Sequence, residues 1–142
     1  MNYNLISILL VEDDEVDVMN VKRAFKKNNI TNPLFVAGNG VEALEMLRSD
    51  GEQQLVPRPR IILLDLNMPK MGGIEFLTAM RQDEDLKSIT VFVMTTSNED
   101  RDKVEAYKLN VAGYIVKPLS MESFISAVSI LNNYWQLIEF PS

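Results

Sequence analysis

Polar side chains stand at the ends of four short apolar runs, and their types suggest what chemistry the chain could perform. They are Glu12, Asp13, Asp14, Asp65, Thr95, Thr96 and Lys117. Taken singly, each has an ordinary structural explanation as a helix cap, a turn residue or a strand hydroxyl. Asp65 is the most informative, because a carboxylate that ends the apolar run Ile61–Leu64 is partly desolvated and is strained further by like-charged neighbours. Clustered carboxylates with no arginine in these motifs therefore call for a cation.

The composition narrows the choice of cation. The chain has no His and no Cys, which excludes Cys/His zinc sites, thiolate nucleophiles, disulfides and Ser-His-Asp triads. Oxygen ligands select Mg²⁺ or Mn²⁺, and such an ion can also hold phosphate oxygens. Lys117 supplies a further positive charge and Thr95 a hydroxyl donor, so a phosphoryl group on Asp65 would be held from three sides. We therefore interpret Asp65 as an aspartyl phosphoacceptor.

These side chains need a fold that brings them together. Five short apolar runs, most of them without polar alternation, predict strands that are covered on both faces: Leu5–Val11, Leu34–Ala37, Ile61–Leu64, Val91–Thr95 and Gly113–Val116. Helix-period segments separate them, and Val18, Val21 and Phe25 form the apolar stripe of the first helix. The alternation predicts a three-layer, doubly wound α/β fold with a five-stranded parallel sheet, whose site lies at the carboxyl ends of the strands.

Local signals mark the boundaries of these elements. Predicted helix N-caps are Asn39 with Glu42, Ser97 with Asp100, and Ser120. Residues 49–60 are polar and contain Gly and Pro, which predicts a loop. The length of 142 residues predicts one domain, 1–142, whose last helix extends over roughly 120–139.

The charge balance excludes other classes of function. A net charge of -6 and a pI near 4.7 would repel a phosphate backbone, so we expect no direct contact with nucleic acid. The basic cluster Lys22, Arg23, Lys26 and Lys27 is either a solvated helix face or a docking patch. No apolar run approaches the ~20 residues of a membrane helix, and the first residues lack the basic start of a signal peptide. We therefore expect a cytoplasmic protein without membrane contact.

Four motifs carry a resemblance to a known family. They are Leu10-Val11-Glu12-Asp13-Asp14, Leu64-Asp65-Leu66-Asn67-Met68-Pro69-Lys70-Met71-Gly72-Gly73, Thr95-Thr96-Ser97 and Tyr114-Ile115-Val116-Lys117-Pro118. Over nearly the whole chain they resemble the receiver domain of two-component response regulators. The resemblance implies a (βα)5 fold with the flavodoxin-like strand order 2-1-3-4-5, which the apolar pattern alone leaves open. Its spacing selects Thr95 over Thr96 as the switch residue.

The resemblance also implies a role for each site residue. Asp65 accepts a phosphoryl group from the phosphohistidine of a partner sensor histidine kinase. Asp13 and Asp65 bind Mg²⁺ directly, Glu12 binds it through water, and the backbone carbonyl of Asn67 completes the ligands.

Three further roles follow from the same resemblance. Thr95 and Lys117 bind the phosphoryl oxygens, and Tyr114 is an aromatic switch that turns inward when Thr95 moves. The chain is then a signalling phosphoacceptor, with the Mg²⁺-dependent self-phosphorylation and self-dephosphorylation of the family, and not a turnover enzyme.

The last helical pattern carries more apolar residues than one sheet face can cover. One stripe faces the core, and a neighbouring stripe includes Ile130. The predicted self-association or partner surface consists of Tyr134, Trp135, Leu137 and Phe140, and the alternative is that these residues pack back onto the domain. The long loop and this ending resemble single-domain response regulators of the cyanobacterial phytochrome type. That narrower resemblance implies a homodimer and a phytochrome-type or other hybrid kinase partner. Because the sequence leaves no room for an output domain after the receiver, we expect signalling through protein contacts or through onward transfer of the phosphoryl group.

Two other classes and one variant of the same role stay open. A metal-dependent phosphatase with Asp65 as nucleophile would carry a second Asp two residues later, where this chain has Asn67. A flavin or nucleotide module would need a Gly-rich or hydroxyl-rich phosphate loop after the first strand, where this chain has acids. A relay intermediate that passes the phosphoryl group onward is as compatible with the residues as a terminal regulator.

Overall fold

A five-stranded parallel sheet forms the centre of the computed structural model. The described residues are 6–48, 50, 54–66, 71–95, 108–116, 122, 125, 126, 128–130, 132 and 133. The strands are β1 Ile8–Val11, β2 Leu34–Ala37, β3 Ile61–Asp65, β4 Thr90–Thr95 and β5 Gly113–Val116. They lie in the order β2-β1-β3-β4-β5. The predicted fold class and strand order are confirmed.

The register aligns the carboxyl ends of the strands at one edge of the sheet. Val11 of β1 pairs with Ala37 of β2 and with Leu64 of β3. Across the other half of the sheet, Asp65 pairs with Met94. Residues that directly follow β1 therefore lie beside the end of β3.

Helices cover both faces of the sheet. Three of them have complete bounds: α1 Glu15–Lys27, α2 Gly40–Leu47 and α3 Gly73–Arg81. Near the carboxyl terminus, residues 122, 125, 126, 128–130, 132 and 133 are helical and are called the C-terminal helix below. Its described residues lie within the predicted span 120–139.

Side chains of the strands alternate between two buried clusters. Leu9 and Val11 belong to the cluster that includes side chains of α2 and α3, called here the α2/α3 core. Ile8 and Leu10 belong to the cluster formed with α1 and with Val128 of the C-terminal helix. Because successive strand residues point to opposite faces, this division places α2 and α3 on one side of the sheet and α1 and the C-terminal helix on the other. The three predicted layers are confirmed.

Hydrogen bonds cap both ends of the first helix. Asp14 is its N-cap, and its Oδ1 accepts a hydrogen bond from the Val16 N–H at 2.8 Å. At the other end, Asn29 adopts φ 55°, and the Ile30 N–H donates to the Phe25 carbonyl at 2.9 Å. This reversal satisfies carbonyls that the helix itself leaves open.

The apolar stripe predicted for α1 faces the sheet. Val21 and Phe25 are buried, and Val18 packs against the same cluster. The stripe is therefore what holds α1 against β1 and β3.

The predicted cap of α2 is also confirmed. Asn39 Oδ1 accepts from the Glu42 N–H at 2.9 Å. Glu42 Oε2 in turn accepts from the Gly38 N–H at 3.1 Å, one residue earlier than a standard capping box would place it. The other two predicted caps, at Ser97 and Ser120, lie outside the described residues.

Strand β1 is shorter than its apolar run predicts. The run begins at Leu5, but the strand begins at Ile8, whose N–H donates to the Pro33 carbonyl at 2.9 Å. Before it, the carbonyl of Ile6 accepts from Asn32 Nδ2 at 2.9 Å. The Ile6 carbonyl thus binds a side-chain amide and not the backbone of a neighbouring strand. An apolar sequence pattern cannot predict such a contact.

The long connection before β3 is a loop, as predicted. Its described residues, 50 and 54–60, belong to no helix or strand. The Leu55 N–H donates to the Met46 carbonyl at 2.8 Å, and Arg58 Nε donates to the Leu47 carbonyl at 2.9 Å. These bonds fasten the loop to the end of α2.

Among the described residues, no helix has the length and apolar character to cross a bilayer.

Candidate metal and phosphoacceptor site

The sheet brings three acidic side chains together at its carboxyl edge. Glu12 follows β1 directly, and its N–H donates to the Ala37 carbonyl at 2.9 Å, which continues the parallel ladder by one residue. Asp65 ends β3. Glu12 and Asp65 are only 2% and 4% exposed, whereas Asp13 is exposed. The site therefore has two buried carboxylates and one that opens to solvent.

The spacing of the carboxylate oxygens fits a shared ion. One oxygen each of Glu12, Asp13 and Asp65 lies within 4.8 Å of the other two. Around an octahedral Mg²⁺, with bonds of about 2.0–2.1 Å, ligand oxygens lie about 2.9 Å apart in cis and about 4.1 Å apart in trans. Small side-chain adjustments would bring these oxygens to such positions. With only oxygen donors in the cluster, the chemistry suits Mg²⁺ or Mn²⁺.

The electrostatics of the cluster also favour a cation. Burial of adjacent carboxylates is costly, because each loses hydration and repels its neighbour. Glu12 Oε2 accepts from the Asp14 N–H at 3.2 Å, and the N-terminus of α1 brings a partial positive charge to this edge. A helix terminus carries only about half a charge, so it offsets a fraction of the three negative charges.

The three consecutive acids after β1 have two different structural roles. Glu12 and Asp13 contribute to the acidic cluster. Asp14 instead caps α1, with its Oδ1 2.8 Å from the Val16 nitrogen and 3.3 Å from the Asp17 nitrogen. The cluster therefore contains the two acids that the family resemblance selects.

A glycine allows α3 to begin close to the end of β3. The Gly73 N–H donates to the Leu66 carbonyl at 3.1 Å. A Cβ atom at residue 73 would lie 2.6 Å from Leu66 Cα and 2.8 Å from the Asp65 carbonyl oxygen, distances that real Cβ atoms essentially never show. Gly73 received no role from the sequence alone. The Gly72-Gly73 pair was the available signal, because a close backbone approach is one of the uses of glycine.

Two of the remaining predicted residues belong to described strands. Thr95 ends β4, and its backbone pairs with Val116 at the end of β5. Tyr114 of β5 is half-buried and packs against the α2/α3 core. The Thr95 side chain, Asn67, Lys117 and the predicted surface residues Tyr134, Trp135, Leu137 and Phe140 lie outside the described parts of the structure.

The basic cluster of α1 is fully presented to solvent. Lys22, Arg23, Lys26 and Lys27 are all exposed, and together with Met19 they line a surface depression. Exposure agrees with a solvated helix face, while docking at this patch stays a prediction.

Comparison with known proteins places the chain in a family. The model of the response regulator receiver domain matches residues 8–129. Response regulator Rcp1 of Synechocystis is 38% identical over 128 residues, which cover 90% of this chain and 87% of that protein. The probable methanogenesis regulatory protein FilR2 of Methanothrix harundinacea is 39% identical over 130 residues, 90% of this chain and 82% of that protein.

Solved structures agree with the sequence matches. The phosphorylated cyanobacterial phytochrome response regulator RcpA superposes with a TM-score of 0.87 at 33% identity, covering 96% of this chain and 99% of that one. The Mn²⁺-bound form of Rcp1 superposes with a TM-score of 0.85 at 36% identity, with the same coverage of 96% and 99%. On the fold, the acidic edge and these matches, the chain belongs to the family of response regulator receiver domains.

Proposed function

We propose that this chain is a stand-alone response regulator of a two-component system, which accepts a phosphoryl group on Asp65 from a sensor histidine kinase in a Mg²⁺-dependent reaction. The observation that carries the proposal is the convergence of Glu12, Asp13 and Asp65 at the carboxyl edge of the sheet. The similarity covers nearly the full length of Rcp1 and RcpA, which supports a receiver that acts as one domain, 1–142.

The residues of the site would share the metal as follows. Asp13 and Asp65 would bind the ion directly, Glu12 would bind it through water, and the backbone carbonyl of Asn67 would complete the set. When bound, Mg²⁺ or Mn²⁺ supplies positive charge that neutralises the phosphoryl oxygens as charge spreads over them. The similar regulator Rcp1 has a Mn²⁺-bound form, which supports a divalent ion in this family.

Asp65 performs the covalent step. One of its carboxylate oxygens attacks the phosphorus of the kinase phosphohistidine in line, and a phosphorus–oxygen bond forms as the phosphorus–nitrogen bond breaks. The electron pair of the broken bond returns to the imidazole nitrogen. Burial of Asp65 limits its carboxylate to few orientations, which favours an in-line attack. The Lys117 ammonium and the Thr95 hydroxyl bind the transferred oxygens.

The output is a shift in conformational population. The phosphoryl group gives Thr95 a new hydrogen-bond partner, and this differential contact favours one arrangement of the last strands. Tyr114 is half-buried, so deeper burial of its ring is available as a response. Thr95 and Tyr114 thereby form the switch.

The signal leaves through a protein surface on the C-terminal helix, where a second copy of the chain docks. Val128 is fully buried, whereas Ile130 is 70% exposed, so the helix presents an apolar residue away from the core. The proposed surface consists of Tyr134, Trp135, Leu137 and Phe140, and a large apolar patch on a small domain is typical of an interface.

The kinase partner is of the phytochrome type, and the regulator acts in the cytoplasm without contact to nucleic acid or membrane. Similarity to RcpA and Rcp1 supports a phytochrome-type partner. FilR2 is equally similar and is named for methanogenesis, so identity alone is a weak guide to the stimulus. Phosphotransfer rates from a panel of the host's histidine kinases, ranked by initial rate, test this pairing.

Removal of the Asp65 carboxylate tests whether Asp65 is the phosphoacceptor. We expect Asp65→Asn to abolish Mg²⁺-dependent labelling by a small phosphodonor, because the amide is a poor nucleophile. Asp85→Asn removes an exposed carboxylate elsewhere and should leave the labelling stoichiometry unchanged. Unchanged labelling of Asp65→Asn would remove the assignment, and sustained phosphate release well beyond one equivalent would favour a phosphatase instead.

A further inference from the structure

The outer face of α1 combines apolar and basic side chains. Val16 is 64% exposed and Met19 is 59% exposed, both in the first half of the helix. The exposed basic cluster follows on the next turns, with members three, four, seven and eight residues after Met19. Residues at these spacings share one side of a helix. Met19 and the basic cluster together line the surface depression described above.

The charges of the basic cluster are not balanced within the described part of the chain. Among the described residues, neither of the two ion pairs includes a member of the cluster. Four of the 14 Lys and Arg residues of an acidic chain thus fall within six positions. Lys22 with Lys26, and Arg23 with Lys27, have the i,i+4 spacing at which like charges destabilise a helix. An acidic partner would relieve this repulsion.

Helix stability explains only part of this face. Lys26 and Lys27 stand in the last turn of α1, where positive charge interacts favourably with the helix dipole. Lys22 and Arg23 stand before the last turn, to which that effect is confined. The exposed Met19 adds nothing to the packing of α1, whose buried stripe lies on another side of the helix.

We propose that this face of α1 is a docking site for an acidic amphipathic helix of a partner protein. Carboxylates of the partner helix pair with the basic cluster, and one of its apolar side chains packs against Met19 in the depression. Methionine suits such a contact, because its unbranched and polarisable side chain adapts to the shape of a partner. Anchors at helical spacing on the partner would match the spacing of the residues on α1.

Other anionic partners fit this face less well. Four cations are few for nucleic acid, and the net charge of -6 opposes approach to a phosphate backbone. A helix that binds a membrane surface needs a broad apolar face, whereas Val16 and Met19 are the only large hydrophobic residues that α1 exposes. An acidic helix with one apolar anchor uses both the charges and the exposed methionine.

The basic end of the docking site lies away from the phosphoacceptor. Lys26 stands 12 residues after Asp14, which caps α1 beside the acidic cluster. At about 1.5 Å per residue, this is about 18 Å along the helix axis. We therefore expect changes in the basic cluster to leave the reaction of Asp65 with a small phosphodonor unchanged. The inference does not rest on the proposed function.

Fluorescence anisotropy of a labelled helical peptide, titrated with the full chain, tests the docking site. The peptide carries leucine at helical spacing with glutamate beside it, and a matched peptide carries glutamine in place of glutamate. We expect the acidic peptide to bind about fivefold more tightly, with a Kd that rises as salt is added. Equal affinity of the two peptides, or no saturable binding of the acidic peptide below about 1 mM, would overturn the inference.

Variants of the chain locate the binding face. Lys22→Gln/Lys26→Gln should raise the Kd of the acidic peptide about fivefold. Lys87→Gln/Lys108→Gln removes the same charge at exposed residues elsewhere and should change the Kd less than about twofold. Met19→Ala should raise the Kd about threefold and leave the Tm unchanged, because the side chain is largely exposed in the free chain. Equal Kd values for the two double variants would contradict the assignment to α1.

Two further probes test the choice of partner. Tighter binding to vesicles that contain phosphatidylglycerol, or to a DNA duplex, than to the acidic peptide would overturn the choice of a protein helix. Labelling of Asp65 in Lys22→Gln/Lys26→Gln should match the parent chain, and loss of labelling in this variant alone would contradict the separation of the two sites. Loss of labelling in the parent chain would contradict the proposed function, and the peptide titration would still decide the docking site.

Discussion

At the scale of single residues, the acids after β1 differ in task although they are adjacent and alike. Glu12 and Asp13 join Asp65, whereas Asp14 caps α1. The sequence alone indicates an acidic run and a helix start, but the division depends on the twist of the chain as it leaves the sheet.

Other residues were predictable to different degrees. Asp65 stands out in the sequence because it ends a continuous apolar run, and the structure buries it. The left-handed backbone of Met71 was not predictable, since methionine has no preference for that region and the cause is a tertiary contact with Gly40.

A pair of neighbouring variants tests the division of tasks. We expect Asp13→Asn to raise the Kd for Mg²⁺ at least about tenfold, because it loses a charged ligand. Asp14→Asn removes the same charge one residue later but keeps an oxygen that can cap α1. Its Kd should change by at most about threefold, since an exposed charge outside the ligand set is well screened. Equal losses in the two variants, measured by calorimetry, would contradict the division.

At the scale of elements, β1, β3 and β4 were predictable because they are covered on both faces and read as apolar runs. The edge strand β2 also reads as an apolar run, but it is only partly covered and leaves Phe35 37% exposed. The order of the strands was not contained in that pattern and followed from the family resemblance. The start of β1 was wrong by three residues, because the Asn32 side chain binds the Ile6 carbonyl. Hydrogen bonds between residues far apart in the sequence cannot be predicted from the local periodicity of apolar residues.

One arginine joins α3 to the segments that lead into β4 and β5. Arg81 Nε donates to the Leu109 carbonyl at 2.7 Å, Nη1 to Lys87 at 2.8 Å and Ile89 at 3.1 Å, and Nη2 to Asn110 at 2.9 Å. Desolvation lowers the pKa of the Arg81 guanidinium. Its charge therefore opposes folding while it is protonated, and the four carbonyl acceptors offset that cost.

Arg81→Lys should destabilise the fold by about 2 kcal/mol, because a lysine keeps the charge but cannot reach four carbonyls at once. Urea unfolding near neutral pH measures the difference. Lys87→Gln is the comparison: it breaks an exposed ion pair with Glu84, 2.8 Å long, and should cost less than about 0.5 kcal/mol. Equal midpoints for the parent chain and Arg81→Lys would contradict this role.

At the scale of the whole molecule, the two faces of the sheet pack against different elements. The α2/α3 core includes Leu66, the residue next to Asp65, while the other side carries α1 and the C-terminal helix. The apolar excess of the last helix was visible in the sequence. The sequence alone did not show which of the two stripes faces the core, because both are apolar. In the structure Val128 is buried and Ile130 is exposed, so the stripe that contains Val128 faces the core.

Glutamate substitutions in the C-terminal region test the proposed dimer. Ile130→Glu and Trp135→Glu should each reduce the apparent mass in gel filtration towards that of a monomer, because a carboxylate would be buried against a second copy. Val56→Glu makes the same kind of change at a residue that is 82% exposed in the loop before β3, and should elute like the parent chain. Unchanged elution of both helix variants would contradict the dimer.

The central claim is that Asp65 carries a phosphoryl group only when a divalent ion balances the acids around it. Intact-mass measurement of the chain after reaction with a small phosphodonor, with Mg²⁺ and with a chelator, followed by peptide mapping, tests it most directly. We expect one added phosphoryl group, on the peptide that contains Asp65, in the Mg²⁺ sample alone. Equal labelling in the chelator, or a label on a different peptide, would contradict the account.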